Sequence, residues 1–305
     1  MSPTLVLRLA TVLCVLAWAP CAAAAQETYA ELLARPRPAA DHRIAYGQDP
    51  DQFGELWLPK ADGPRPVVVL IHGGCWQESL PGLELMDYAA ASLRRRGYAV
   101  WNLEYRRLGR AGGGYPGTFE DVARGVDALR GLARSYPLDL RRVVLVGHSA
   151  GGQLALWAAA QSRRPAGGPG AAPPLPVAGV VSLAGIDDLE AYHAKGPAAC
   201  GGPGVVEALV GAPGRSLPAA FANTSPAAML PLGVPQVIVS GEQDPIVPPA
   251  FGSGYAAKAR RAGDDVRAVV VPHVGHFELI DPLSDAWRPV AEAIRAMLRA
   301  TPSAG

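Results

Sequence analysis

Val143-Val144-Leu145-Val146-Gly147-His148-Ser149-Ala150-Gly151-Gly152 reads as a short β-branched strand, a tight turn and the opening of a helix. A helix-forming run, Gln153 to Ala160, follows at once. Gly-x-Ser-x-Gly is common in a Gly-rich chain, but between a strand and a helix it is specific: the serine is lifted clear of the backbone with its hydroxyl exposed. Gly147 and Gly151 remove the Cβ atoms that would clash where neighbouring chain passes close by. The helix that follows, starting with the Ala150 N–H, aims its positive end at any oxyanion formed beside Ser149.

Outward from this turn, apolar runs alternate in type. Strand-like segments span 53–58, 67–72, 99–105, 143–147, 177–184, 236–240 and 266–271. Most are short, continuous and β-branched, which suits strands buried on both faces. Helix-like segments span 82–96, 119–136, 150–161, 251–262 and 282–299; in the second, Val122, Val126, Leu129 and Leu132 share one face. Strand–helix alternation predicts an α/β chain with a doubly wound, mainly parallel sheet. Segment 53–58 and the residues before it are expected to pair antiparallel at its edge. Residues 163–176 form a Pro/Gly/Ala loop too rich in breakers for a helix. Residues 186–235 leave the sheet as a cap or lid above the strand ends, where open α/β sheets bind ligands.

The chain has 305 residues, 49% of them hydrophobic, enough for one large core or two smaller ones. With 28 Lys and Arg against 27 Asp and Glu, the formal charge is +1 and the basic residues are dispersed. That pattern argues against nucleic acid or an anionic membrane surface as partner. At the N-terminus, Arg8, an apolar 9–19 stretch and Ala22-Ala23-Ala24-Ala25 read as a secretory signal cleaved after Ala25. The apolar stretch is short for a membrane span, so a periplasmic or secreted domain 26–305 with no stable span is expected after cleavage. Cys14 and Cys21 would leave with the signal. Cys75 and Cys200 remain, and an oxidising compartment favours their disulfide.

A serine hydroxyl needs a base within hydrogen-bond reach and a group that orients that base. His42, His72, His148 and His193 are poorly placed for this. His273 and His276 remain, on the loop leaving the last strand, and His276, just past a glycine and before the final helix, is the expected base. The His-x-x-His pair has no obvious third ligand, so no metal is expected. Asp244 follows a buried strand and a Gly turn and is the expected orienting acid, with Glu242, Asp187 and Asp188 as alternatives. Stabilisation of the oxyanion falls to Ile71-His72-Gly73-Gly74-Cys75-Trp76. There His72 and Gly73 support a tight turn, and the N–H groups of Gly74 and Cys75 join that of Ala150.

These pieces, His72-Gly73-Gly74, Gly147 through Gly152, the Asp244 loop and His276, resemble the α/β-hydrolase superfamily. Within it the chain is similar to the His-Gly-Gly esterases, which include hormone-sensitive-lipase-like enzymes, kynurenine formamidases and feruloyl-esterase-like proteins. His72-Gly73-Gly74-x-Trp76 is similar to the formamidase form of the motif, and Cys75 stands where the lipase-like form has a third glycine. The chain order Ser149, Asp244, His276 is the one expected of that architecture.

The expected chemistry is cleavage of small-molecule carboxylic esters through an acyl-enzyme on Ser149, with no metal or organic cofactor. An amide-bond hydrolase (arylformamidase or peptidase) on the same residues is the alternative, and a binding protein on a non-catalytic hydrolase fold the alternative of another class. Glu120 and Asp121 are expected to cap a helix in solvent, Trp76 to pack or shape a pocket, and Arg106 and Arg107 to be solvated unless they meet an anionic substrate.

Overall fold

The computed structural model describes residues 26–60, 62–161, 174–211 and 214–299. The signal segment 1–25 and most of loop 163–176 lie outside these residues. Eight strands form one sheet: β1 (His42–Ala45), β2 (Phe53–Trp57), β3 (Arg65–Ile71), β4 (Ala99–Leu103), β5 (Leu138–His148), β6 (Gly179–Leu183), β7 (Gln236–Gly241) and β8 (Val266–Val271). Their order is β1-β2-β4-β3-β5-β6-β7-β8. The antiparallel edge expected around 53–58 is β1 paired with β2, and β2 also runs antiparallel to β4. The remaining pairings are parallel.

The side chains of β3 show why helices cover both faces. Val67, Val69 and Ile71 point to one side and Val68 and Leu70 to the other, all fully buried. One face packs on α3 (Gly117–Asp127), α5 (Ala150–Gln161) and α9 (Pro249–Arg261), the other on α2 (Asp87–Arg95) and α10 (Trp287–Arg299). In α10, Trp287, Val290, Ala291, Ile294, Met297 and Leu298 recur at helical spacing and are buried. Burying each large apolar side chain contributes about 1.5–3 kcal/mol. A short helix, α1 (Tyr29–Leu33), plants Leu32 in the second of these cores.

Three elements differ from expectation. The helix predicted over 119–136 divides into α3 and α4 (Leu129–Leu132). Trp101 Nε1 donates to the Gly125 carbonyl at 2.9 Å, diverting an acceptor that helical continuation requires. The segment from residue 82 begins as a 3₁₀ turn, Leu83–Met86, before α2. Strand β5 starts well before Val143, and its register against β3 shifts between Pro66 and Val67. Pro66 has no N–H for the ladder, which makes that point a natural irregularity.

Within 186–235 the chain forms α6 (Leu189–Lys195), α7 (Pro203–Leu209) and α8 (Leu217–Phe221). A Cys75–Cys200 disulfide ties this excursion to the loop after β3, as the cysteine count predicts. From β3 the sheet grows to β4 on one side and to β5 on the other. The crevice at the carboxyl ends of β3 and β5 is therefore the topological switch point, where open α/β sheets place ligands.

Candidate active site

Ser149 stands at that crevice, between β5 and α5, with φ of 56°. A non-glycine residue in the left-handed region carries strain of about 1 kcal/mol or more, and persists only where its surroundings hold it. Here the Ser149 N–H donates to Leu183 O at 2.8 Å, and the Gly152 N–H returns to Ser149 O at 2.9 Å. A Cβ on Gly147 would lie 1.9 Å from Gly151 O, and one on Gly151 would lie 2.1 Å from Ile71 O, so no larger residue fits either place. Contrary to the expected exposure, Ser149 is only 2% exposed. It lines a cavity of about 110 Å³ whose walls include Leu80, Ala199 and Tyr29. Those walls come from three distant segments, which is why the enclosure is invisible in the local motif.

His276, Gly74 and Cys75 line the same cavity. His276 Nδ1 lies 2.7 Å from Asp244 Oδ2, and both residues are buried. A carboxylate oxygen can only accept, so Nδ1 carries the proton and the Nε2 lone pair is left free. Among the described residues none hydrogen-bonds to that Nε2 or to Ser149 Oγ. Asp244 is itself held: its Oδ1 accepts from the N–H groups of Ile246 and Val247, each at 2.8 Å. The imidazole thus has a fixed orientation before any ligand arrives.

Behind it, His148 Nε2–H donates to the His276 carbonyl at 3.1 Å. Burial and the neighbouring His276 hold the His148 imidazole well below its usual pKa, so it stays neutral. His273 is mostly exposed, and its N–H donates to Glu242 at 2.9 Å. The alternative base and one alternative acid are therefore paired with each other at the surface. Asp188 caps α6 and meets Lys258 at 2.6 Å.

On the other side of the cavity, Gly74, Cys75 and Trp76 have φ of 92°, 49° and 58°. Among the described residues none accepts a hydrogen bond from the N–H groups of Gly74, Cys75 or Ala150. Several bonds hold this strained loop. Cys75 is in the disulfide, and Trp76 Nε1 donates to Gln153 Oε1 of α5 at 3.1 Å. Trp76 is wholly buried and serves packing rather than the cavity wall. His72 Nε2 donates to Glu104 Oε1 at 2.8 Å, and its ring stacks on Tyr105 with centroids 4.3 Å apart. Gly73 lies against the Ser149 turn, where a Cβ would approach Ser149 Cβ to 3.0 Å.

Glu104 escaped sequence reasoning. Burial alone would raise its carboxyl, but His72, then Arg107 and the Tyr105 N–H, outweigh that and hold it at about 2. Its only sequence signal is a carboxylate directly after a mostly apolar strand, Ala99-Val100-Trp101-Asn102-Leu103.

A family model described as BD-FAE matches residues 55–258. The chain belongs to the BD-FAE family. The BD-FAE match takes in Ser149, the His72 loop and Asp244, and ends before His276.

The fold is that of α/β-hydrolase carboxylesterases. Esterase B from Lactobacillus rhamnosis superposes with a TM-score of 0.71 at 18% identity, over 88% of this chain and 92% of that one. A bacterial heroin esterase gives 0.66 at 24%, over 86% and 84%. In sequence, the chain is 30% identical over 113 residues to a probable isoprenylcysteine alpha-carbonyl methylesterase of Oryza sativa subsp. japonica. That match covers 37% of this chain and 26% of the relative, about a quarter of its length.

Other residues of this BD-FAE chain take scaffold roles. Asp121 is buried rather than solvated: Arg106 Nε donates to it at 2.7 Å and Gln52 Nε2 at 2.6 Å. Arg107 donates to Leu80 O at 2.7 Å. Both arginines are thereby committed to protein partners.

Asp187 is fully enclosed and accepts from Ser182 Oγ at 2.7 Å; burial raises its carboxyl to about 7. With a raised folded pKa, its contribution to stability is complete below the unfolded value near 3.8 and is lost as pH rises through about 7. Asp187→Asn is therefore expected to gain on wild type as pH rises from 5 to 9, by up to about 3 kcal/mol, nearly all of it between pH 5 and about 7. Denaturant midpoints across that range test it: a constant difference would refute a buried titrating carboxyl.

Proposed function

We propose that this chain is an exported serine hydrolase that cleaves carboxylic esters through Ser149, His276 and Asp244. The reading rests on one observation: the His276–Asp244 hydrogen bond leaves the other imidazole nitrogen free, and His276 and Ser149 line one cavity.

Ser149 Oγ attacks the ester carbonyl while its proton passes to His276 Nε2. Asp244 stabilises the imidazolium that forms. The carbonyl oxygen, now an oxyanion, is met by the N–H groups of Gly74, Cys75 and Ala150. Loss of one such donor costs about a hundredfold or more in rate. As the tetrahedral intermediate collapses, the bond to the leaving oxygen breaks and His276 returns the proton to the departing alcohol. Water, deprotonated by His276, then releases the acid from Ser149. The relatives support the ester class: one is named a methylesterase, and the similar structures are esterases.

Export is supported by the disulfide and by the character of residues 1–25.

The test compares p-nitrophenyl acetate, N-formylkynurenine and a short peptide panel on the mature protein, with fluorophosphonate labelling of Ser149. Ester turnover with an adduct on Ser149 is expected. Turnover of only the formamide or peptides would assign the amide class, and no adduct on folded protein would point to a binding protein.

A further inference from the structure

The wall of the catalytic cavity includes one residue from the start of the described chain. Tyr29 opens α1, lines the cavity beside Ser149 and His276, and is 41% exposed. A residue that both lines a cavity and meets solvent stands at its mouth. Its ring packs edge-on against Phe277, with centroids 5.9 Å apart, and Phe277 in turn packs on His276 at 5.0 Å.

The segment carrying Tyr29 is strapped to the two loops that bear the acid and the base. Gln26 Nε2 donates to Gln243 O at 2.6 Å, one residue before Asp244. The Glu27 N–H donates to Glu278 at 3.0 Å, two residues past His276. Thr28 and Glu31 form a reciprocal capping box around Tyr29, and Arg35 pairs with Asp281 at 2.9 Å. Leu32 is fully buried. Tyr29 is therefore held in place over the cavity rather than left on a free tail.

The space beneath it is small. A cavity of about 150 Å³ takes up benzene, so about 110 Å³ accommodates an acyl group of roughly four carbons. The part of the substrate that stays on Ser149 after the alcohol leaves must fit within the enclosed space, whereas the alcohol needs a path to solvent. Resting on the ester reading above, we propose that Tyr29 is a specificity-determining residue that closes the acyl site and restricts the enzyme to short-chain acyl esters.

The experiment measures kcat/KM of the mature protein on p-nitrophenyl acetate, butyrate, hexanoate and octanoate. The wild type is expected to lose about tenfold or more between butyrate and octanoate. Tyr29→Ala should raise the octanoate-to-acetate ratio about tenfold, and Tyr29→Trp should lower the butyrate-to-acetate ratio. Tyr29→Phe should keep the wild-type ratios, because the ring and not the hydroxyl blocks the path. Thermal melts of each variant establish that it is folded; the Trp variant carries the test if the Ala variant is not. Ratios unmoved in a folded variant overturn the inference while leaving the ester reading intact. A change that follows the size of the leaving alcohol at fixed acetyl overturns the acyl assignment. A wild type that turns over no ester and takes no fluorophosphonate adduct overturns both readings.

Discussion

Ser149→Ala is expected to reduce ester turnover by about 10⁴-fold or more while leaving the protein folded. The loss is large because no neighbour can supply the missing bond. The covalent intermediate needs an oxygen at the turn, and the remaining groups of the site retain only oxyanion stabilisation and binding. Stability should change by less than about 1 kcal/mol. The φ of 56° at this position is held by backbone bonds to Leu183 and Gly152, which alanine keeps. Alanine also has the same Cβ, so the left-handed strain neither grows nor relaxes. Ser149 Oγ has no hydrogen-bond partner among the described residues, so its removal orphans nothing. Steady-state kinetics paired with thermal unfolding test the two halves separately. Wild-type turnover in the folded variant would remove Ser149 from the mechanism, and collapse of the fold would mean the turn depends on the hydroxyl.

Much of this architecture was readable because it is local. The Val143–Val146 run, the Gly-x-Ser-x-Gly turn and the apolar run of α5 lie within twenty residues, and each reports its own backbone preference. The parallel sheet was legible for the same reason: continuous β-branched runs have nowhere to sit but between two helical layers. What escaped depends on partners distant in sequence. The division of α3 from α4 comes from Trp101, 24 residues upstream of the carbonyl it engages. The clasp between His72 and Glu104 spans 32 residues, and a lone carboxylate after an apolar strand does not announce its partner. Most remote is the strap at residues 26–35, whose bonds to Gln243 and Glu278 span 217 and 251 residues. Nothing in its composition marks it as the mouth of a cavity. The same absence of local signal explains why Ser149 was expected to be exposed: its own turn is open, and distant chain closes over it.

Removing the Cys75–Cys200 disulfide is expected to cost both stability and rate, for separable reasons. The bond spans 125 residues, and opening so long a loop frees the unfolded chain, so loss of a native bridge costs about 2–5 kcal/mol. In the native state the bridge does something further. Cys75 sits at φ of 49° in a loop that lines the cavity, and Cys200 follows Ala199, which lines it too. One covalent bond therefore fixes the proposed oxyanion donor and part of the cavity wall against each other. Gln77 Nε2 to Cys200 O at 3.3 Å and Trp76 Nε1 to Gln153 remain without it, so the loop should loosen rather than unravel. The double variant Cys75→Ala, Cys200→Ala is expected to unfold at lower denaturant and to lose about tenfold to a hundredfold in kcat, the upper figure being that for losing one donor outright. Reductant should bring wild type to the same stability and rate, and should leave the double variant unchanged. If the reduced wild type kept its full rate while losing stability, the bridge would be a staple for the fold alone. If intact mass found two free thiols in the exported protein, neither effect could arise.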